Sequence, residues 1–285
     1  MFVFMKALFL SLGLVLAAFV TSAQVSVSVT MDQEHFLPGE SVPVYVHITN
    51  RSGETLHLGA DNVWLSFLVE SKDGPVVSKK SDPPVYGPFD LGTSEVATKR
   101  VDLGPYFGLG SDGRFKVTAT VHIGTWNTDI TSPSQDFDVI HGSELWAQTF
   151  GVPNSQASNS PPDVRKYTLI EANYLRDQLR LYVQVTDESS ASVVKVRAIG
   201  PMISFGQPEA QLDPASDLHV LYQDGATTFI YAIVNPNGEI IKQDRYNYVK
   251  SHPRLHQEDN GSITVQGGVR RADTSATTVP EQAAR

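Results

Sequence analysis

The chain has 285 residues, with 22 basic against 31 acidic for a formal net charge of −9, 41% hydrophobic residues and no cysteine. That acidic balance argues against nucleic acid, whose binding releases counterions to clustered Lys and Arg, and against docking on anionic lipid. Without thiols there are no disulfides, cysteine-based zinc sites or thiol catalysis, so the fold must rest on core burial alone.

In chain order, residues 1–23 read as a secretory signal peptide. Lys6 supplies one positive charge, Ala7 to Val20 is apolar or small, and Thr21-Ser22-Ala23 presents small side chains before Gln24. The apolar run is shorter than the ~20 residues of a spanning helix, so cleavage after Ala23 is expected, with a retained anchor as the alternative. The expected location is secreted or periplasmic, and an exported chain without disulfides favours a bacterial source. Taking 23 from 285 leaves 262 residues, enough for two domains, and no transmembrane span is expected after cleavage.

Strand periodicity begins at once. Val25 to Thr30 alternates apolar and polar, as a strand with one wet face does. Val42, Val44, Val46 and Ile48 repeat the pattern, and Pro43, which lacks an amide donor, fits an edge or a strand start. Val63 to Val69 is apolar on both faces, the signature of a central strand. Phe115, Val117, Ala119, Val121 and Ile123 alternate again. Ser52-Gly53, Asp73-Gly74 and Asp112-Gly113 offer turn glycines between the runs. The spacing predicts a β-sandwich over 24–150.

The stretch 151–164, rich in Pro, Ser and Asn, reads as an interdomain linker. Strands resume over 165–271, where Leu179, Leu181, Val183 and Val185 alternate and further runs follow at 218–222 and 229–234. Two loose internal repeats show here. Pro208, Asp213 and Leu218 correspond to Pro253, Asp259 and Ile263 at about 45 residues, and the strand pair 179–199 matches 218–234 at about 39. The Ala-, Thr- and Ser-rich tail, 272–285, reads as disordered. The fold class expected is therefore all-β.

Two segments carry a family resemblance. Phe36-Leu37-Pro38-Gly39-Glu40, the strand after it and Asn50 to Leu56 resemble the opening of immunoglobulin-like modules of bacterial surface and macroglobulin-type proteins. Asp112 to Val121 and Ser132 to Val139 are similar to their last two strands. The resemblance implies an immunoglobulin-like β-sandwich and no particular activity. Residues 165–271 resemble β-propeller blades in rhythm, which implies a smaller antiparallel β domain; two repeats are too few to close a ring, and an open stack of sheets is the favoured form.

No residue constellation singles out a reaction. His252 and His256 stand four apart, but Pro253 and the β context deny them a shared helix face. His47 and His122 fall on outward strand faces. Asp187-Glu188 lacks the spacing of a calcium loop, and Asp259 to Thr264 reads as turn chemistry. Trp64 is expected in the core and Trp146 near the domain junction. Trp126, in the polar loop Gly124 to Asp129, is the one candidate binding residue, to stack on a sugar or anchor a protein. Covering the end of the core is its plainer role.

The function expected is therefore an exported non-catalytic binding or structural protein of the bacterial envelope or extracellular space, with a protein or polysaccharide partner. No cofactor, metal or catalytic residue is assigned. A hydrolase on the second β domain and a protease-inhibitor-like module are the alternatives.

Overall fold

The computed structural model describes residues 24–72, 74, 76–152 and 163–271. The expected leader, the tail 272–285, Asp73 and most of the expected linker lie outside the described residues. Among the described residues the protein is all-β, with several sheets, no helix and no closed barrel or propeller. Among the described residues no helix is long and apolar enough to cross a membrane.

Among the described residues the first half holds ten strands. These are β1 (Val25–Thr30), β2 (His35–Phe36), β3 (Pro43–Asn50), β4 (Leu56–Leu58) and β5 (Leu65–Ser71). They continue as β6 (Phe89–Leu91), β7 (Val96–Asp102), β8 (Gly113–Ile123), β9 (Thr128–Thr131) and β10 (Gln135–Val139). One large sheet runs β1-β3-β7 and the other β2-β10-β8-β5, with β9 also on β8, while β4 and β6 pair as a separate two-stranded sheet. Both sheets turn their apolar residues onto one core: Val44, Val46 and Ile48 from β3 meet Val117, Ala119 and Val121 from β8, and all six are buried completely. Strict alternation produces this, because successive side chains of a strand point to opposite faces. Pro43 opens β3, where its missing donor costs least. Leu37-Pro38-Gly39-Glu40 closes a turn in which Glu40 N donates to the Leu37 carbonyl at 3.0 Å and Gly39 takes φ +82°. Proline followed by a glycine with positive φ is the sequence such a type II turn requires.

Val63 to Val69 departs from expectation. β5 is an edge strand, and Val63 and Leu68 are 71% and 57% exposed. Trp64 is core as expected, its Nε1 donating to the Val85 carbonyl at 3.0 Å. Apolar residues on both faces signal a central strand only when something covers the second face, and here nothing described does.

The second half begins with β11 (Ser143–Gly151), β12 (Val164–Leu175), β13 (Gln178–Asp187) and β14 (Ser192–Pro201), a meander in that order. A second meander follows: β15 (Glu209–Leu212), β16 (Leu218–Gln223), β17 (Thr228–Val234) and β18 (Ile240–Asn247). β19 (Arg254–Gln257) and β20 (Ile263–Gln266) form a separate hairpin, and β21 (Val269–Arg270) returns to β18. The two meanders share a core of Leu169, Leu181, Val183, Leu218, Val220 and their neighbours.

Strand pairing also places the expected boundary differently. Gly151 pairs with Val164, so 151–164 joins two neighbouring strands of one sheet, and 143–151 belongs to the second half. Proline and serine mark a loop equally well whether it links domains or strands. Of the two repeats, the one near 39 residues is out of phase, matching the third strand of one meander to the second of the next. The one near 45 is structural. Asp213 and Glu258 each donate their amide four residues ahead, to the carbonyls of Asp217 and Ser262, and Ser216 and Gly261 take positive φ at the same turn position.

Candidate functional site

The two halves meet along a seam. Leu37, Ala172, Tyr182 and Val196 form a small apolar cluster across it, and Glu34 N donates to the Tyr174 carbonyl at 2.9 Å. Beside that cluster runs a polar chain. Arg180 donates to Gln33 Oε1 at 2.7 Å, and Gln33 donates to Glu40 Oε1 at 3.0 Å. Glu40 Oε2 accepts the Leu37 amide at 2.8 Å. The Arg180 guanidinium also lies 3.6 Å from the centre of the Tyr174 ring. Burial pushes the Glu40 carboxyl above its ordinary value, while the Leu37 and Gln33 hydrogen bonds and the Arg180 charge pull the other way. Every lone-pair partner in this chain is supplied internally, so it braces the seam.

Next to the brace opens a cleft of about 510 Å³. One wall is the run Val193 to Arg197 of β14; the other is the Glu40–Ser41 turn and the Asp102 to Gly110 segment. Among the described residues β14 ends its sheet and has no strand on its outer side. Val193 and Val194 are 42% and 41% exposed there. The two carboxylates of the cleft are already engaged. Glu40 serves the brace, and Asp102 accepts from Val42 N, Gly104 N and Ser41 Oγ. The cations are not. Lys80, Lys195 and Arg197 border the cleft, are exposed, and make no side-chain ion pair or hydrogen bond with any described residue. Lys195 and Arg197 stand opposite the core residues Val185 and Val183, on the face of β14 turned to the second meander, and so flank the strand edge from behind the cleft. Lys80 reaches it from a loop pinned by Lys80 N to the Tyr106 carbonyl and Gly108 N to the Ser78 carbonyl, both 2.8 Å. The stem of Lys195 packs on Gly238, where an added Cβ would come within 2.7 Å of it. Unpaired positive charge beside a free strand edge can hold an anionic, extended ligand.

The residues singled out in the sequence lie elsewhere. Trp126 is half-buried against the first core, in a turn where its amide donates to the Ile123 carbonyl at 3.1 Å. Its Nε1 faces Glu54 Oε2 at 3.4 Å. Trp146 packs on the core of the second half, at a bulge in β11. His47 bridges Thr30 and Thr98 across the outer face of the first sheet, and His122 pairs with Asp129 at 2.6 Å. His252 meets the Phe229 ring edge-on and the Tyr248 ring at a tilt, while His256 lies in β19. Extended backbone sets residues four apart by about 13 Å, so the two imidazoles do not converge. Asp187 accepts from the Ser189 hydroxyl and amide and from the Ser190 hydroxyl, which pull its pKa down to about 2. Asn260 Oδ1 accepts from Ser262, as turn chemistry requires. Among the described residues no group of three His, Asp or Glu is arranged to hold a metal ion.

Sequence reasoning passed over His219 and the cleft cations. His219 is buried, with Nδ1 2.6 Å from the Tyr231 hydroxyl and Nε2 3.3 Å from Asp213 Oδ2. Both ring nitrogens are engaged, which makes it an internal brace for the β15–β16 turn. Lys80 and Arg197 stand over a hundred positions apart in the chain, and no local pattern joins them.

No protein-family model matches this chain, and no curated protein matches it. Among solved structures it is similar to Spo0M, the sporulation control protein of Bacillus subtilis, at 12% identity and a TM-score of 0.31, over 60% of this chain and 82% of that one. A likeness that slight carries no argument about fold or function.

Proposed function

We propose that this is an exported, non-catalytic binding protein of the bacterial envelope or extracellular space, an immunoglobulin-like sandwich followed by a second antiparallel β unit. Its ligand is a partner protein presenting an extended acidic segment, laid along β14 in the seam cleft. The observation that carries this reading is the edge of β14, which among the described residues has no partner strand, flanked by Lys195 and Arg197 of the strand itself and faced across the cleft by Lys80, while both cleft carboxylates are occupied. Charged residues on an edge strand also discourage unwanted pairing. That role needs no matching cation on the opposite wall, yet Lys80 stands there. The acidic balance of the rest of the chain repels an acidic segment elsewhere and steers it to the cleft. Main-chain hydrogen bonds to the strand edge would give affinity and the cations register.

The test is fluorescence anisotropy with a labelled peptide of alternating Glu and Val. Binding is expected to weaken with salt and to fall roughly tenfold or more in the Lys80→Glu, Lys195→Glu, Arg197→Glu triple variant, with circular dichroism unchanged. Undiminished binding by that variant, or preference for a Lys-Val peptide, would refute the reading. So would binding of an acidic oligosaccharide at this cleft with no response to the peptide.

A further inference from the structure

A second cavity, of about 420 Å³, opens between β14 and the second meander, lined by Ile199 to Pro201, Tyr222, Asp224, Ile230, Gln243 and Arg245. Its volume falls within the ordinary span of small-molecule sites. Tyr222 is 1% exposed, yet its hydroxyl has no hydrogen-bond partner. Gln243 lies close by but donates its Nε2 to the Ile199 carbonyl at 3.0 Å. Asp224, with a side chain 12% exposed, uses Oδ2 to accept from Arg245 at 3.1 Å and leaves Oδ1 without a partner. Two orphaned polar atoms on residues that line one cavity are costly to keep unless something satisfies them. The backbone makes room for one of them. A Cβ on Gly200 would stand 2.5 Å from the Tyr222 hydroxyl oxygen.

The chemistry of the lining narrows the ligand. Asp224 and Arg245 cancel in charge, so a charged ligand gains nothing net from the pair. Asp244 also borders the cavity, but it sits opposite Tyr231 in the register, on the other face of β18, where it pairs with Arg270. The group needed donates to Asp224 Oδ1 and accepts from the spare Arg245 N–H groups and the Tyr222 hydroxyl; a hydroxyl does both. We propose that this cavity binds a neutral polyhydroxy ligand, a sugar ring or sugar alcohol, through Tyr222, Asp224 and Arg245, at a place separate from the seam cleft.

The test titrates isotopically labelled protein by NMR with a panel of monosaccharides and sugar alcohols, with acetate and methylamine as charged controls. Saturable amide shifts confined to Gly200, Asp224, Gln243 and Arg245 are expected for at least one neutral member. Tyr222→Phe should weaken that binding roughly tenfold while Tm holds or rises, because the hydroxyl it removes has no partner in the fold. Gly200→Ala should block it, and the triple cleft variant should leave it intact. No saturable shift from any neutral member, saturation by the charged controls alone, or a fall in Tm on Tyr222→Phe would each overturn the proposal.

Discussion

The two halves of the molecule bury their strands differently, and the contrast explains what each half can tolerate. In the first half the long strands are buried on one face only: β1 reads buried, exposed, buried throughout, and β3 keeps every second residue in a single core. In the second half the central strands are covered on both sides. Leu218 to Tyr222 are five consecutive buried residues, divided between the core shared by the meanders and a smaller one under the β19–β20 hairpin. Tyr182 likewise turns from that main core to the seam. One sheet face in water gives a tolerant surface, whereas two covered faces leave almost none.

The largest expected effect tests that contrast directly. Leu221 is 2% exposed on the second face of β16 and Leu68 is 57% exposed on the outer face of β5. Leu221→Ala should cost about 2–5 kcal/mol of unfolding free energy in urea, and Leu68→Ala no more than about 0.5 kcal/mol. Equal costs would mean that the second face is not a true core. A smaller effect concerns the seam. Arg180→Ala removes a donor from buried Gln33 and should cost about 1–3 kcal/mol. It should also separate the unfolding of the halves, so that Trp fluorescence and far-ultraviolet dichroism, expected to coincide in the wild type, report different midpoints in the variant. Coincident transitions in the variant would show that the apolar seam cluster alone couples them.

The smallest effect is in pH. Folding raises the Glu40 pKa above its ordinary value of 4.5, so the folded state binds this proton more tightly than the unfolded one. Its contribution to stability is therefore fully present below 4.5 and is lost as pH rises through the higher folded value. Glu40→Gln should flatten this part of the stability profile, as read by urea midpoints across mildly acidic pH. An unchanged slope would remove Glu40 as its source.

The same contrast sets what could be read from the sequence. Val25 to Thr30 and Phe115 to Ile123 announce their faces because alternation maps directly onto one core. Val63 to Val69 misleads because apolar side chains on a wet edge look identical to a covered strand. The 45-residue repeat is real because the turn from Asp213 and the turn from Glu258 need the same local hydrogen bonds, while the 39-residue match reflects only a shared apolar rhythm. The all-β class was thus legible, but the cleft was not. Lys80 comes to face the strand edge that carries Lys195 and Arg197 only through the packing of one half on the other, and the orphaned Tyr222 hydroxyl depends on the space left at Gly200. Trp126 stood out as an aromatic in a polar loop, and that signal does not distinguish a ligand contact from the cover over a core.

Pairing of Gly151 with Val164 has a practical consequence. A protease that cuts anywhere between 153 and 162 severs the polypeptide without parting the two strands on either side of the nick. The fragments should run as two bands under denaturing electrophoresis yet elute together from a sizing column, still zipped along β11 and β12. The same adjacency makes this the natural place to install new termini in a circularly permuted protein.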